Sequence, residues 1–175
     1  DSKFCCLNFG PGVLSYLVAL EERTVKRVWQ FDVPRDGAGL KWVDLGGKDR
    51  AGEPTVVETA GSGATPLIVP AGKQNELVVP FAGRLMAFAP KTGALLWTCD
   101  GPNIGVYSSP FFGDGIVALN ASGTTNTLLA VRPGGRGDVT ETHRLWIQRP
   151  GNNKTCLGAV VIHKGHICQA NMSCL

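Results

Sequence analysis

Two adjacent thiols, Cys5 and Cys6, are the residues whose chemistry is most easily imagined. A neighbouring pair of this kind can close into a vicinal disulfide ring. The pair sits in Phe4-Cys5-Cys6-Leu7-Asn8, an apolar run of strand character. Strand alternation sends consecutive side chains to opposite faces, so the two sulfurs point apart unless the chain makes a strained turn. His163, His166 and Cys168 form a second group, with metal-ligand chemistry. A transition-metal site needs three or four converging ligands. Here the histidines flank Lys164-Gly165, a hairpin turn where polar residues face water, and no metal site is expected.

Other motifs carry less. Arg136-Gly137-Asp138 matches an integrin-binding tripeptide, but it lies in a Gly-rich turn where such a triplet arises easily. Asn120, Asn153 and Asn171 open N-x-S/T acceptor sequons, which matter only in a eukaryotic secretory protein. No nucleophile elbow, phosphate loop, dinucleotide fingerprint or His-Glu-x-x-His helix occurs. Ser108 and Ser109 have no histidine in a recognisable relation to them. The expectation is a chain that is not itself catalytic.

Composition narrows the class. Charged residues are 18% of the 175, below the roughly 25% of ordinary soluble domains; together with 23 Gly and 11 Pro this favours an all-β chain with many tight turns. The formal charge is +3, with Lys and Arg scattered singly, so no nucleic-acid face is expected. No apolar run approaches the roughly 18 residues of a membrane-spanning helix. The sequence opens at Asp1 without Met or an apolar leader, consistent with a removed leader or with a fragment. The six cysteines are irregularly spaced and fall mostly in apolar strand patterns, where a free thiol behaves as a small buried hydrophobe.

The elements that must position these residues repeat. Leu17 to Trp29, Leu85 to Trp97, and a stretched copy from Leu128 to Trp146 each read as apolar strand, turn, and second strand ending in Trp. A period of about 50 residues indicates stacked or radially arranged supersecondary units. Strands are expected at 66–70, 76–81, 84–89 and 95–99, then at 109–112, 116–121, 127–132 and 143–148. Strands at 3–8, 16–20 and 27–32 precede them, and a hairpin at 156–162 and 166–172 follows. The units therefore hold three, four, four and two strands. Between the first two, residues 34–63 read as a loop insertion with one short strand around 55–59. Helix propensity over 19–29 is overruled because Thr24-Val25 fills the slot that Thr92-Gly93 fills in the second copy.

Four-stranded units closed by a Thr-Gly turn and a Trp-bearing strand resemble the PQQ-like β-propeller repeat. That family includes BamB-like outer-membrane assembly proteins and quinoprotein dehydrogenases. Ala87 to Trp97 is the best match, with Ala89 where the family has Asp; Ala19 to Trp29 keeps Leu20, Glu21 and Thr24 but has Val25 for Gly. The resemblance implies an all-β fold of four-stranded antiparallel blades, about three to three and a half of them, in an incomplete ring over residues 1–175. It gives Trp29, Trp97 and Trp146 the role of docking one blade on the next, and Thr24, Thr92 and Gly93 the repeat turns. It implies an interaction scaffold whose partner is another protein or the remainder of the propeller, with self-association through open blade faces. Trp42 in the insertion, Tyr107 in the 103–107 connection and the 134–142 turn are the expected contact points. An exported or periplasmic location follows from the same resemblance. The alternatives are a fragment of a quinoprotein dehydrogenase, holding PQQ with calcium, or a module joined to a catalytic domain elsewhere. The sequence shows no carboxylate cluster for that calcium and no Cys-x-x-Cys-His haem site, so no cofactor is expected.

Overall fold

The computed structural model of the protein describes residues 3–10, 15–34, 61–102, 106–121, 127–149 and 160–169, with the backbone of four short strands between 43 and 59. The first sheet joins β1 (Phe4–Phe9), β2 (Tyr16–Glu21) and β3 (Arg27–Asp32), all antiparallel. Next come β4 (Val43–Asp44), β5 (Gly47–Lys48), β6 (Pro54–Thr55) and β7 (Glu58–Thr59). β4 pairs antiparallel with β7, Val43 opposite Thr59, and β5 pairs antiparallel with β6, Lys48 opposite Pro54. Where the sequence reads one strand at 55–59, the described residues form two short strands, β6 and β7.

The second sheet is β8 (Leu67–Ala71), β9 (Gln74–Phe81), β10 (Arg84–Phe88) and β11 (Leu95–Asp100). The third is β12 (Phe111–Gly113), β13 (Ile116–Ala121), β14 (Thr127–Val131) and β16 (Arg144–Gln148). Within the long turn before β16 lie β15 (Gly137–Asp138) and a single helical turn, α1 (Thr140–His143). β17 (Val160–His163) and β18 (His166–Gln169) form the last hairpin. The described residues thus follow the expected progression of units, all open sheets, with β15 and α1 as additions the repeat did not announce.

Burial shows how the units stack. β1 alternates half-buried and exposed, the pattern of a strand covered on one face. β9 is buried at every position from Glu76 to Phe81, because the second unit is covered on both faces. Its Leu77, Val79 and Phe81 join Met86 and Phe88 against Leu17 and Val33 of the first unit, with Trp29 and Phe31 at the margin. The Phe31 and Phe88 rings lie 4.8 Å apart and tilted by 57°. Its Val78, with Leu85, Ala87, Trp97 and Cys99, faces Val117, Leu119, Leu129 and Val131 of the third unit. Ala118 on the opposite face of the third unit meets Val160 and Ile162 of the last hairpin.

Candidate functional site

The repeat acquires its geometry from a shared register. Trp29 lies opposite Ala19, which lies opposite Cys6. Trp97 lies opposite Ala87 and then Val78; Trp146 lies opposite Ala130 and then Ala118. A small residue beside each indole leaves room for the ring on the sheet face. Immediately after the Ala the register slips by one: Leu20 pairs with Arg27, Phe88 with Leu95, and Val131 with Arg144. Val28, Leu96 and Leu145 are thereby left as bulge residues, and a bulge at this point bends the strand and re-aims its side chains. Sequence reasoning missed the bulges, although a constant Ala-to-Trp offset in the first two copies was their signal.

The three indoles have different surroundings. Trp29 Nε1 donates to the Pro90 carbonyl at 2.9 Å, and its ring covers Gly93 so closely that a Cβ there would come within 2.6 Å of it. Trp97 is wholly buried, and its Nε1 donates to Glu76 Oε2 at 2.7 Å. Trp146 is 38% exposed. The first two therefore contact the following unit or lie within its interface, whereas the third is open to solvent on the described surface.

The turn residues also match across copies. Val25 N donates to the Glu21 carbonyl and Gly93 N to the Ala89 carbonyl, both at 2.9 Å. Thr24 and Thr92 each accept on Oγ1 from the amide two residues on, Lys26 and Ala94, at 3.4 Å. Gly93 has φ +71° and Val25 +56°, so a β-branched residue holds the left-handed position that glycine holds in the second copy. Glu21 stands where Ala89 stands later: its carboxylate accepts from both the Thr24 amide and the Thr24 hydroxyl, which lowers its pKa.

Glu76 is the one carboxylate among the described residues classed as buried, 2% exposed, and sequence reasoning did not single it out. Its Oε2 accepts from Trp97 Nε1 and from Gly134 N at 3.1 Å, while Oε1 pairs with Arg136 Nη1 at 3.3 Å. The Arg-Gly-Asp triplet is tied down at its other end as well. Gly137 and Asp138 pair in parallel with Trp97 and Thr98, and Asp138 Oδ2 meets Arg84 Nη1 at 2.7 Å. Hydrogen bonds from Thr140 and Arg84 hold the Asp138 carboxyl down at about 2, from an ordinary 3.8. The 134–142 turn, expected as a contact point, is thus largely engaged with the second unit.

The remaining candidates are dispersed. Tyr107 is 55% exposed beside buried Val106; Trp42 and residues 103–105 lie outside the described residues. Cys5 is exposed and Cys6 half-buried, on alternate faces of β1, and both are free thiols. Cys168 is free and exposed, so of the four described cysteines only Cys99 is buried; burial pushes its thiol up to about 11. His163 pairs opposite His166 on the exposed face of the last hairpin, and no group of three His, Cys, Asp or Glu among the described residues converges for a metal. Asn120 is buried, 1% exposed, while Asn153 and Asn171 are not described.

No protein-family model matches the sequence, and none of the curated proteins does. Solved structures do. The chain is similar to BamB from Moraxella catarrhalis, with a TM-score of 0.57 over 98% of this chain and 41% of that one at 14% identity. It is also similar to the quinohemoprotein alcohol dehydrogenase ADHIIG from Pseudomonas putida HK5, with a TM-score of 0.53 over 95% of this chain and 30% of that one at 13% identity. The fold is that of a partial β-propeller. The chain spans less than half the length of either structure, and the four units are its blades. Identity this low speaks to fold alone.

Cys5 and Cys6 stand on alternate faces of β1 and are not joined to each other.

Proposed function

We propose that this chain is a non-catalytic β-propeller scaffold for protein–protein interaction, working without a resident cofactor. The observation that supports it most is the apolar sheet and strand edge that the first and third blades expose. Between the second and third blades, buried Glu76 is held by Trp97 and by the exposed Arg136. What faces outward is apolar sheet and strand edge. Leu7, Phe9 and Val28 are 38%, 49% and 42% exposed on the first blade, and Leu145 and Trp146 are 41% and 38% exposed on the edge strand β16. Such edges capture extended peptides by strand addition, and aromatic residues at a rim supply anchoring area. Tyr107 is the exposed aromatic on a connection and serves as one such anchor.

The partner is another protein or further blades of a larger propeller, and the family resemblance supports an exported or periplasmic setting. No helix among the described residues is long and apolar enough to cross a membrane. Titration with PQQ and calcium, followed by quinone absorbance and Trp fluorescence, tests the reading against its quinoprotein alternative. No saturable uptake is expected. Stoichiometric binding near one equivalent would replace the scaffold with an oxidoreductase fragment.

A further inference from the structure

The units stack in one direction. The Trp-bearing face of the first covers the second, and that of the second covers the third. At each junction the covered sheet supplies the same slots. Counted from Val78 and Ala118, the residues in line with Trp97 and Trp146, Leu77, Val79 and Phe81 of the second blade correspond to Val117, Leu119 and Ala121 of the third. All six are at most 1% exposed. The same count in the first blade, taken from Cys6 in line with Trp29, gives Cys5, Leu7 and Phe9. Leu7 and Phe9 are 38% and 49% exposed, and Cys5 is exposed as well. The first blade thus carries a blade-docking face that is open on the described surface.

Two observations point to what covers it. Val25, at φ +56°, carries a Cβ in the slot where Gly93 lies under the Trp29 ring, and a Cβ at Gly93 would come within 2.6 Å of that ring. The turn of the first blade therefore excludes an indole, and the sheet that covers this face brings none. The last hairpin meets that condition, since β17 and β18 hold no tryptophan. Val160 and Ile162 pack it on the third blade, which turns Val161, His163, His166 and Cys168 outward. Counted from the two-residue turn, Cys168 holds the slot of Ala118, and hence of Cys6 and Val78. In the two completed junctions that slot belongs to the cluster that contains Leu77 and Val79, or Val117 and Leu119. Their counterparts in the first blade are Cys5 and Leu7.

We propose that the first blade binds the last hairpin of a second copy of this chain, head to tail, with Val161 and Cys168 of one copy set over Cys5 and Leu7 of the other. The proposal rests on the interaction-scaffold reading and names the partner of its open sheet face. The contact continues the stacking already made inside the chain, with the same slots on the covered side. The two faces lie on the first and last units and are unlike each other, so the contact is heterologous. Each copy has one of each. Burying Leu7 and Phe9 on one side and Val161, 52% exposed, on the other removes apolar surface from water. Cys5 and Cys168 enter the junction as small hydrophobes.

The test uses the full chain and has two arms. In sedimentation velocity, Leu7→Glu and Val161→Glu should each weaken self-association by about tenfold or more, because each places a carboxylate in the junction. An equimolar mixture of the two variants should regain association, since the hairpin of the first still fits the first blade of the second. A Val161→Glu chain that associates like the unaltered one, or a mixture no better than its parts, overturns the proposal. The second arm changes no apolar contact and stands even if a charged variant fails to fold. In a Cys156→Ser/Cys174→Ser chain, oxidation by diamide should give an inter-chain disulfide that maps to Cys5 and Cys168. It should be lost with Cys5→Ser and kept with Cys6→Ser. The absence of any inter-chain link, or a link from Cys5 to Cys5, also overturns the proposal. Failure in either arm removes the second copy as the partner, whereas failure of the scaffold reading shows as quinone uptake.

Discussion

Val25 and Gly93 occupy the same place in successive turns, at φ +56° and +71°. The left-handed conformation costs an L-residue roughly 1–2 kcal/mol. Val25 is 66% exposed and returns little packing for that cost. Val25→Gly should therefore stabilise the chain by about 0.5–1 kcal/mol after allowing for the greater freedom of glycine in the unfolded state. Gly93→Ala should destabilise by about 3 kcal/mol, since a Cβ would meet the Trp29 ring at 2.6 Å in addition to the backbone strain. Urea midpoints of the two variants check both; opposite shifts are expected, and equal ones would mean the turns are not equivalent. Glu76 supplies a second residue-scale prediction. Glu76→Ala leaves the Trp97 and Gly134 N–H groups unpaired in the blade interface, a loss of about 3 kcal/mol. Glu76→Gln keeps an acceptor for the indole and should cost about 1 kcal/mol. Equal losses in the two variants would show that the hydrogen bond to Trp97 is not what matters.

At the level of elements, the 134–142 turn links the second and third blades through Asp138, which pairs with Arg84. Its carboxyl lies at about 2 in the folded chain against an ordinary 3.8, so the folded state binds this proton less readily than the unfolded one. The stabilisation it gives is present above about pH 4 and fades as pH falls toward 2. Asp138→Asn should flatten that part of the stability profile while leaving the profile between pH 5 and 7 level. Urea unfolding at pH 3 and pH 6 measures it; an unchanged slope in the variant would mean that Arg84 and Thr140 do not hold the carboxylate in solution. The repeating element was legible in sequence because Trp, the small residue opposite it and the turn recur in order. The bulges at Val28, Leu96 and Leu145 were not, since one extra residue in a strand leaves no mark on composition. Nor was β15, whose partner is 40 residues away in sequence and whose Gly-Asp has no strand propensity of its own.

For the molecule as a whole, the open face of the first blade carries Leu7, Phe9 and Val28, with Phe9 stacked on Tyr16 at 4.7 Å. The corresponding face of the second blade, with Leu77, Val79 and Phe81, is buried against its neighbour. Exposed apolar sheet of this kind drives association. The isolated chain should show concentration-dependent self-association by sedimentation velocity, and Phe9→Glu should reduce it without lowering the unfolding midpoint by more than about 1 kcal/mol. A stable monomer across the whole concentration range would show that the face is satisfied in solution and would weaken the scaffold proposal.

By itself the sequence determined the class of element, the order of the units and the identity of the repeat, because apolar alternation, Gly and Pro turns and spaced tryptophans act locally. It also placed Val25 in a glycine slot, which the backbone honours. Only the tertiary structure decided the fate of each indole: Trp97 against Glu76, Trp29 over Gly93, Trp146 open to water. Likewise it turned Arg136-Gly137-Asp138 from a surface tripeptide into an inter-blade strap, with Glu76 as its buried anchor. These outcomes rest on contacts between residues tens of positions apart, where burial and geometry decide the partner, and local residue type carries no record of them.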